Sequence, residues 1–488
     1  MTETKKKKKK SWKRILKHKI FRSRNFGSII SAIFVLLFLV MLHSIDLLPI
    51  KYFIGITILF IGLNILGIIF INVHKKRVLK IIGTIILVLL GIISIIGVYY
   101  LSTTQSFMSD SFSKKITYEK TTYYLLENKK QESQDIKGIV GTYKESIYLG
   151  DALEKLKNKY SLSDIAYDDI GTMFDQLLNG TTQYSLLEKS SYEIVFSLSN
   201  TLNKDDFNIA YEFDIYTKKT RKKNANTKRF NIYVGGADFA NYMDFNMVAT
   251  INTETHNILL TSIPRDLYLK VAGYDDERYE KLSFMNLNYG YESNRDSLAQ
   301  FLNTDIDYTL LINTDSLVTI VDYIGGIEFC SDYEFMTTHA LVKDTYNDTV
   351  GKKLYVKKGC QHLNGIETLT VARERNSFPG RDRVRQENCR KIMISIFKKM
   401  ISTDTILHYN ETLDTLSTLY ETDIEKSIIT KFVKDILANG NKWKISSQAI
   451  NGTDGKDKVH KYNMIDWVMY PDESTVQNAQ ENIKKTLK

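Results

Sequence analysis

Three long apolar stretches near the start of the chain dominate its pattern of hydrophobic and polar positions. They cover residues 29–45, 53–73 and 81–101, and the third contains no charged residue. Each has about 17–21 residues, which as an α-helix would span roughly 26–32 Å, the thickness of a bilayer's hydrocarbon core. A buried hairpin of core helices is disfavoured, because such helices seldom stay apolar on every side over that length. The pattern therefore predicts three transmembrane helices within residues 28–101.

Lysine and arginine are distributed unevenly around these stretches. The first 27 residues carry a net charge of +11 and the whole chain carries +10, so the remaining residues sum to −1. The loop before the third stretch is also basic, whereas the loop before the second has only Lys51, opposed by Asp46. Because basic segments stay on the cytoplasmic side, we predict a multi-pass protein of the cell membrane. Residues 1–27 would form a basic cytoplasmic tail, and residues 102–488 would lie outside the cell. With the basic excess confined to the tail, no nucleic-acid partner is expected.

Residues 102–228 alternate short apolar and polar stretches, and we expect them to form an extracellular accessory α+β domain. Strands are predicted at residues 116–126 and 191–198, and helices at residues 147–160 and 168–178. The basic stretch at residues 218–229 is predicted to be a linker, although an edge hairpin within one continuous domain fits it nearly as well.

Residues 229–488 alternate predicted strands with predicted helices. Strands are predicted at residues 230–236, 245–252, 257–264, 307–314, 323–330 and 369–375. Helices are predicted at residues 293–302, 314–324, 385–401, 422–437 and from residue 474 onward. This alternation favours the α/β class, as an α/β/α sandwich around a central, mostly mixed sheet. We expect residues 229–488 to form one domain that carries the chemistry.

Charged side chains collect where these predicted strands end. The acids are Asp238, Asp244, Asp266 and Asp382, and the bases are Arg265, Lys281, Arg373, Arg375 and Arg385. Guanidinium groups bind phosphate oxygens in a bidentate manner. Mg²⁺ binds one or two carboxylates together with phosphate oxygens. Carboxylates beside arginines therefore predict a metal-assisted diphosphate site, while structural ion pairing explains the same composition equally well.

The motifs that contain these residues resemble, in the same order, those of the LytR-CpsA-Psr family of Gram-positive bacteria. They are SIPRD (262–266), YEKL (279–282), YIGGIEF (323–329), HLNGIETLTVARER (362–375) and SFPGRDRVRQEN (377–388). Three spans followed by an extra domain are similar to the capsule-attaching members. The resemblance implies an enzyme that moves a glycopolymer from undecaprenyl pyrophosphate to peptidoglycan, with Mg²⁺ or Mn²⁺ as cofactor.

The resemblance also implies roles for individual residues. Asp238 and Asp244 match the metal-ligating aspartates of the family. The arginines that hold the pyrophosphate are matched by Arg265, Arg373, Arg375 and Arg385, of which Arg265 and Arg385 are also expected to be catalytic. Lys281 and Cys389 complete the expected phosphate contacts. Asp382 is expected to serve as a catalytic base or to orient Arg385.

Three departures from the family pattern stand out. Tyr242 and Met243 occupy positions where the family has Arg-Ser, and Arg381 replaces the second glycine of a Gly-Gly-Asp motif. Cys389 replaces a glutamine that contacts phosphate in the family. A thiol is a poor hydrogen-bond donor, so we expect weaker binding of the lipid phosphate and an unchanged type of reaction.

The chain has three cysteines, which excludes a four-cysteine zinc site. Cys330 and Cys360 are both predicted to be extracellular, where a disulfide can persist. The two cysteines could form a disulfide or remain as two free thiols. Free thiols are favoured, because many Gram-positive hosts avoid envelope disulfides. Cys389 is not expected to be a nucleophile, because no histidine is placed to activate it.

The predicted reaction is phosphoryl transfer, in which a hydroxyl of a wall sugar attacks the sugar-side phosphorus and undecaprenyl phosphate leaves. Late-helix apolar residues are expected to line a lipid channel or to pack in the core: Ile392, Met393, Ile396, Phe397 and Met400. Two alternatives stay open at this point. One is a lipid diphosphatase with water as acceptor, and the other is a binding or regulatory protein for lipid-linked intermediates. Capsule and wall teichoic acid both remain possible polymers.

Overall fold

The computed structural model describes residues 26–488 except residues 47, 73–75, 114–117, 132–134, 219–227, 239–241, 291, 342–350, 381, 401–419 and 440–441. Nearly all of the predicted basic tail and most of the predicted linker at 218–229 therefore lie outside the described residues.

Three consecutive helices occupy the positions of the apolar stretches. They are α1 (Phe26–Ile45), α2 (Ile50–Asn72) and α3 (Arg77–Ser113). Each contains a segment long and apolar enough to cross a membrane, and many of its leucine and isoleucine side chains face outward. Polar contacts lie between the helices, where the buried Asn64 Nδ2 donates to Ser31 Oγ at 3.0 Å. The prediction of three apolar spans is confirmed, and α3 continues beyond the predicted end at residue 101.

A first mixed sheet follows the spans. Its region contains β1 (Tyr118–Asn128), β2 (Lys137–Tyr143), α4 (Leu149–Lys157), β3 (Ser161–Tyr167), α5 (Ile170–Leu178), β4 (Tyr184–Glu188), α6 (Lys189–Leu198) and β5 (Phe207–Lys218). The strand order is β3-β2-β4-β1-β5. Strand β2 runs parallel to β3 and β4, whereas β1 is antiparallel to β4 and β5.

One prediction in this region was wrong. Residues 191–198 form most of helix α6 and not a strand. Its buried side chains Ser191, Ile194 and Val195 follow the spacing of three and four residues that marks one helix face, which the β-branched composition obscured. The helix predicted at 147–160 is confirmed as the shorter α4, and the parallel strand β3 begins at Ser161.

A second, six-stranded sheet lies in the remainder of the chain. Its region begins with β6 (Arg229–Ala237), β7 (Met243–Asn252), β8 (Asn257–Ile263), β9 (Tyr268–Lys270), β10 (Tyr279–Lys281), α7 (Leu282–Tyr289), α8 (Ser293–Phe301), β11 (Tyr308–Asn313) and α9 (Thr314–Tyr323). It continues with β12 (Ile327–Ser331), β13 (Phe335–Ala340), β14 (Lys353–Val356), β15 (Gly359–Leu363), α10 (Gly365–Arg373) and α11 (Asp382–Met400). It ends with β16 (Tyr420–Thr422), β17 (Lys444–Ala449), β18 (Gly452–Val459), β19 (Met464–Pro471) and α13 (Glu473–Leu487). Helix α12 (Lys426–Asn439) follows β16 in the chain but belongs to the compact unit of the three spans.

The order of this sheet is β16-β11-β6-β7-β8-β17. The β11–β6 and β8–β17 pairs are parallel, while the β6–β7 and β7–β8 pairs are antiparallel. Strand β8 is buried along nearly its whole length, which requires cover on both faces of the sheet. One core cluster joins Leu259 and Ile263 of this strand to Val476 and Ile483 of α13. The predicted α/β class with a mixed central sheet is confirmed.

Residues 369–375 were predicted as a strand, but they lie at the end of helix α10 and in the loop after it. The helix begins with a capping box in which Asn364 Oδ1 accepts from Glu367 N and the Glu367 carboxylate accepts from Asn364 N. An Asn-x-x-Glu pattern is a sequence signal for such a start, and it outweighs the alternation of LTVARER.

Cys330 and Cys360 form a disulfide, so the expectation of two free thiols was wrong. Strands β12 and β15 pair antiparallel with these two residues directly opposite each other. Directly opposed residues bring their Cβ atoms close together, and this register could not be deduced from a separation of 30 residues in the chain.

Both sheets belong to one compact unit that begins at Lys114. A shared core cluster joins Phe174 and Ile194 of the first region to Phe284 and Tyr462 of the second. The division at residue 228 into an accessory and a catalytic domain stays a prediction.

Candidate functional site

Two aspartates lie at neighbouring ends of the central strands. Asp238 directly follows β6, and Asp244 is the second residue of β7. Their connection is closed by two hydrogen bonds, from Tyr242 N to Asp238 Oδ1 at 2.9 Å and from Asp238 N to Tyr242 O at 3.0 Å. Tyr242 stands where the family pattern has arginine, and its ring packs against Phe284, with 5.5 Å between centroids.

The register of the sheet brings an arginine to the second aspartate. Strands β7 and β8 pair antiparallel with Asn246 opposite Ile263. Asp244 lies two residues before this pair and Arg265 two residues after it, so their side chains meet and form an ion pair. The proximity of Asp244 to SIPRD is therefore a consequence of a short antiparallel connection.

The other arginines come from helix α10 and helix α11. Arg373 is the last residue of α10, Arg375 follows in the loop, and Arg385 lies in the first turn of α11. The loop is shaped by the buried Glu374 carboxylate, which accepts from Asn376 N at 2.9 Å and from backbone and hydroxyl groups of neighbouring residues. Burial opposes ionisation of Glu374, but these hydrogen bonds hold its pKa below the ordinary value. Glu374 thus places its two flanking arginines beside one cavity, although they do not share a strand face as predicted.

That cavity has a volume of about 580 Å³ and contains most of the predicted site. The predicted residues on its wall are Asp238, Asp244, Arg373, Arg375, Arg385 and Cys389. Apolar side chains complete the wall, namely Phe245, Ile312, Leu317, Leu369, Ile392 and Met393. Arginines beside carboxylates and apolar groups in one cavity suit a ligand with a charged head and an apolar tail.

Asp244 is the electrostatic centre of the cavity. Besides its ion pair with Arg265, its Oδ2 lies 4.0 Å from both Arg375 Nη2 and Arg385 Nη1. Burial opposes ionisation, but the guanidinium groups of Arg265, Arg385 and Arg375 outweigh it and hold the pKa of Asp244 below its ordinary value. Three cations face this one carboxylate, so the group has an excess of positive charge that suits an anionic ligand.

A chain of ion pairs continues from Arg265 away from the cavity. Arg265 Nε lies 3.6 Å from Asp266 Oδ1, which is 2.9 Å from Lys281 Nζ. Lys281 Nζ also lies 3.0 Å from Asp466 Oδ2 on β19. Lys281 is buried between these two carboxylates and is not on the cavity wall. Its predicted phosphate contact stays a prediction, and the geometry favours a supporting role beneath Arg265.

Asp382 and Cys389 lie on the same helix, α11. Asp382 begins the helix, and its side chain lies outside the described residues, so its predicted role stays a prediction. Cys389 is buried on the cavity wall, and its thiol donates to Ala372 O at 3.3 Å. The thiol thus contacts the backbone of α10 at the position where the family has a glutamine.

The apolar lining was only partly anticipated. Ile392 and Met393 lie on the cavity wall as expected, whereas Ile396 is buried elsewhere. Ile312, Leu317 and His339 also reach the wall, from β11, α9 and β13. These residues carry no sequence signal for a site, because their inclusion depends on how three separate elements pack.

The residues present fit a divalent cation. Asp238 and Asp244 supply two carboxylates on one wall, and Mg²⁺ needs one or two carboxylates when phosphate oxygens complete its coordination. Elsewhere among the described residues, Glu328, Cys330 and Cys360 lie close enough to share an ion. The two sulfurs of that group are joined in the disulfide and are therefore not thiolate ligands.

Comparisons with known proteins show which family this chain belongs to. A teichoic acid transferase TagU of Enterococcus faecalis is 24% identical over 60% of this chain and 90% of its own. TagU of Bacillus anthracis is 25% identical over 54% of this chain and 84% of its own. The crystal structure of Bacillus subtilis TagV, 22% identical, superposes with a TM-score of 0.45 over 54% of this chain and 98% of that one. The profile of the LytR_cpsA_psr family matches residues 195–485, and the protein is a member of that family.

Proposed function

We propose that this protein is a membrane-anchored phosphotransferase that moves a glycopolymer from a polyprenyl diphosphate to peptidoglycan. The observation that carries the proposal is the cavity in which Asp244, itself paired with Arg265, faces Arg375 and Arg385 beside an apolar wall. The relatives from Enterococcus faecalis and Bacillus anthracis are named polyisoprenyl-teichoic acid–peptidoglycan teichoic acid transferases, which supports this class of substrates.

The arginines supply the chemistry of phosphate binding. Arg373, Arg375 and Arg385 would hold the diphosphate oxygens, while Arg265 keeps Asp244 in place. The acceptor hydroxyl attacks the sugar-side phosphorus, a new P–O bond forms, and the bond from that phosphorus to the bridging oxygen breaks. Polyprenyl phosphate leaves with the bridging oxygen, and the guanidinium groups stabilise the charge that develops there. The hydroxyl proton passes to a base, the role expected of Asp382 or of solvent.

A divalent cation is part of the proposal. Asp238 and Asp244 would hold Mg²⁺ or Mn²⁺, which when bound would screen the charge of the diphosphate. Removal of divalent cations with EDTA should abolish transfer, and added Mg²⁺ should restore it. Transfer that persists in EDTA would contradict this part of the proposal alone.

The test uses the full chain in detergent micelles with a lipid-diphosphate saccharide, peptidoglycan oligomers and Mg²⁺, with products followed by mass. We expect glycan transfer, reduced about 100-fold or more by Asp244→Asn, since preorganised charge at such sites contributes at this level. The matched control is Asp168→Asn, because the Asp168 side chain is 83% exposed in the first sheet region. Release of sugar phosphate without transfer would favour the diphosphatase alternative. Tight lipid binding without turnover would favour a binding or regulatory protein.

The proposed topology places the tail in the cytoplasm and residues 102–488 outside the cell. It is supported by the basic segments and by the loop between α1 and α2, which carries Lys51 and Asp46. Within the unit of the spans, Lys434 Nζ of α12 lies 2.5 Å from Asp46 Oδ1, and Lys51 Nζ donates to Ala438 O at 3.2 Å. The loop between α1 and α2 therefore lies on the same side of the membrane as α12.

Labelling of intact cells with a membrane-impermeant maleimide tests this topology. Thr453→Cys, at an exposed position of β18, should be labelled, and Ser11→Cys in the tail should not. The native cysteines give a low background, because Cys389 is buried and the other two form the disulfide. Labelling of the tail variant would contradict the orientation.

A further inference from the structure

One face of the β18–β19 hairpin is exposed although both ends of the hairpin are held. The register places Lys456 opposite Trp467 and Lys458 opposite Ile465, so these four side chains share a face. Ile465 is 68% exposed and Trp467 is 60% exposed. Large apolar side chains grouped on a fixed surface mark interaction sites more often than single exposed residues do. We name this surface the hairpin face.

The far end of the hairpin is anchored in the core between the two sheets. Lys461 and Tyr462 in its turn are buried, and Tyr462 OH donates to Asn288 Oδ1 at 2.5 Å. Val459, the last residue of β18, is also fully buried. The hairpin face is therefore not the loose tip of a mobile loop, and its two apolar side chains are displayed by a fixed backbone.

The near end of the hairpin contacts the first turn of the helix that lines the cavity. Arg383 Nη2 donates to Gly452 O at 3.2 Å and lies 3.4 Å from Asp454 Oδ2. Arg383 is in the first turn of α11, two residues before the cavity residue Arg385. The opposite side of β19 carries Asp466, which supports Arg265 through Lys281. The hairpin face thus extends outward from the start of the helix that lines the cavity.

We propose that the hairpin face binds the acceptor, a peptidoglycan glycan strand, and so presents its hydroxyl to the cavity. This inference rests on the proposed function. The donor is held by its charged diphosphate, whereas an acceptor without such a group needs several weaker contacts. Lys456 Nζ lies over one face of the Trp467 indole, 4.7 Å from the ring centroid, and the other face of this exposed ring offers a plane for the apolar face of a sugar ring. Lys456, Lys458 and Asp454 offer charged hydrogen-bond groups for hydroxyl and carboxylate substituents of the strand.

Retention of the full-chain protein, in detergent micelles, on purified peptidoglycan sacculi is the direct test. Trp467→Ala and Ile465→Ser should each weaken retention about threefold to tenfold, the range expected for loss of one ring or apolar contact. Trp467→Phe should retain most of the binding. The matched control is Tyr216→Ala on β5, because Tyr216 is also 60% exposed but lies in the first sheet.

Kinetics separate this inference from the proposed function. In the transfer assay, Trp467→Ala should raise KM for the peptidoglycan oligomer by the same factor and leave KM for the lipid donor unchanged. Unchanged sacculus retention and acceptor KM in a protein that still transfers would overturn the hairpin-face proposal. Trp467-dependent retention without any transfer would instead overturn the proposed function.

Discussion

Acidic and basic side chains meet in two clusters of this protein, and the clusters balance their charges differently. In the cavity, Asp244 faces the guanidinium groups of Arg265, Arg375 and Arg385 within 4.0 Å and keeps access to solvent. Between the two sheets, Lys461 Nζ pairs with Glu188 at 3.2 Å, and both side chains are fully buried. We name the second group the junction cluster, and it also contains Glu280 and Asn288.

The difference between the clusters lies in how completely the protein itself satisfies each charge. Glu188 accepts from Ser146 Oγ and Ile147 N as well as from Lys461, so its charge is compensated within the fold. The cavity cluster holds more positive charge than Asp244 can balance. A one-to-one buried pair is a structural device, whereas an accessible excess of one sign is suited to binding a ligand of the other sign.

The largest expected effect is on stability, from breaking the junction pair. Lys461→Met should lower the free energy of unfolding by about 3–5 kcal/mol, because it leaves the Glu188 carboxylate buried without its cation. Denaturant titration of the purified protein, followed by tryptophan fluorescence, would measure the change.

Lys204→Met is the matched control for the junction pair. Lys204 pairs with Glu193 in the same region, but both side chains are more than a third exposed, so a change below about 1 kcal/mol is expected. Equal effects of the two variants would show that burial does not distinguish these pairs.

A second expected effect concerns pH and the other acid of the junction cluster. Burial raises the pKa of Glu280 to about 7, although hydrogen bonds from Lys281 N and Asn288 Nδ2 oppose the shift. The unfolded chain loses this proton near pH 4.5 and the folded chain near pH 7. The stabilisation that Glu280 contributes therefore decreases as the pH rises from about 4.5 to about 7. A shift of this size corresponds to about 3 kcal/mol.

Glu280→Gln isolates that contribution, because the amide does not titrate. The wild-type chain should lose more stability than Glu280→Gln when the pH rises from 5 to 8, and melting temperatures of both proteins at the two pH values would test it. Identical pH profiles would mean that Glu280 ionises at its ordinary pKa inside the fold.

The smallest expected effect lies at the far end of the ion-pair chain that supports the cavity. Asp466→Asn removes one of the two carboxylates that hold Lys281, so Asp266 should shift toward Lys281 and away from Arg265. We expect kcat for transfer to fall about tenfold, as for other supporting contacts of a binding site, with KM for the donor nearly unchanged.

Asp466→Glu should recover most of the rate if charge at this position is what matters. An equal loss in both variants, or a loss confined to thermal stability, would count against a positioning role for Asp466. Measuring both kcat and the melting temperature of each variant distinguishes a positioning role from an effect on stability alone.

Local sequence patterns determined the features of this protein that depend on neighbouring residues. The three spans follow from apolar runs that are each long enough to cross a bilayer. Strands β6, β7 and β8 follow from β-branched runs separated by turn residues, and the aspartates and arginines at their ends could be found by motif. The capping box at Asn364 was also present in the sequence, although the alternation after it misled the strand prediction.

Only the tertiary structure decided which of these residues act together. The pairing of Cys330 with Cys360 required the register of β12 and β15. The burial of Lys281 required Asp466, and Lys461 meets Glu188 across 273 residues of chain. Helical or strand periodicity reports which face of one element is apolar, but it does not specify the partner of a charged side chain. That partner is set by packing between distant elements, and here it separates a structural ion pair from a site with charge left to bind a ligand.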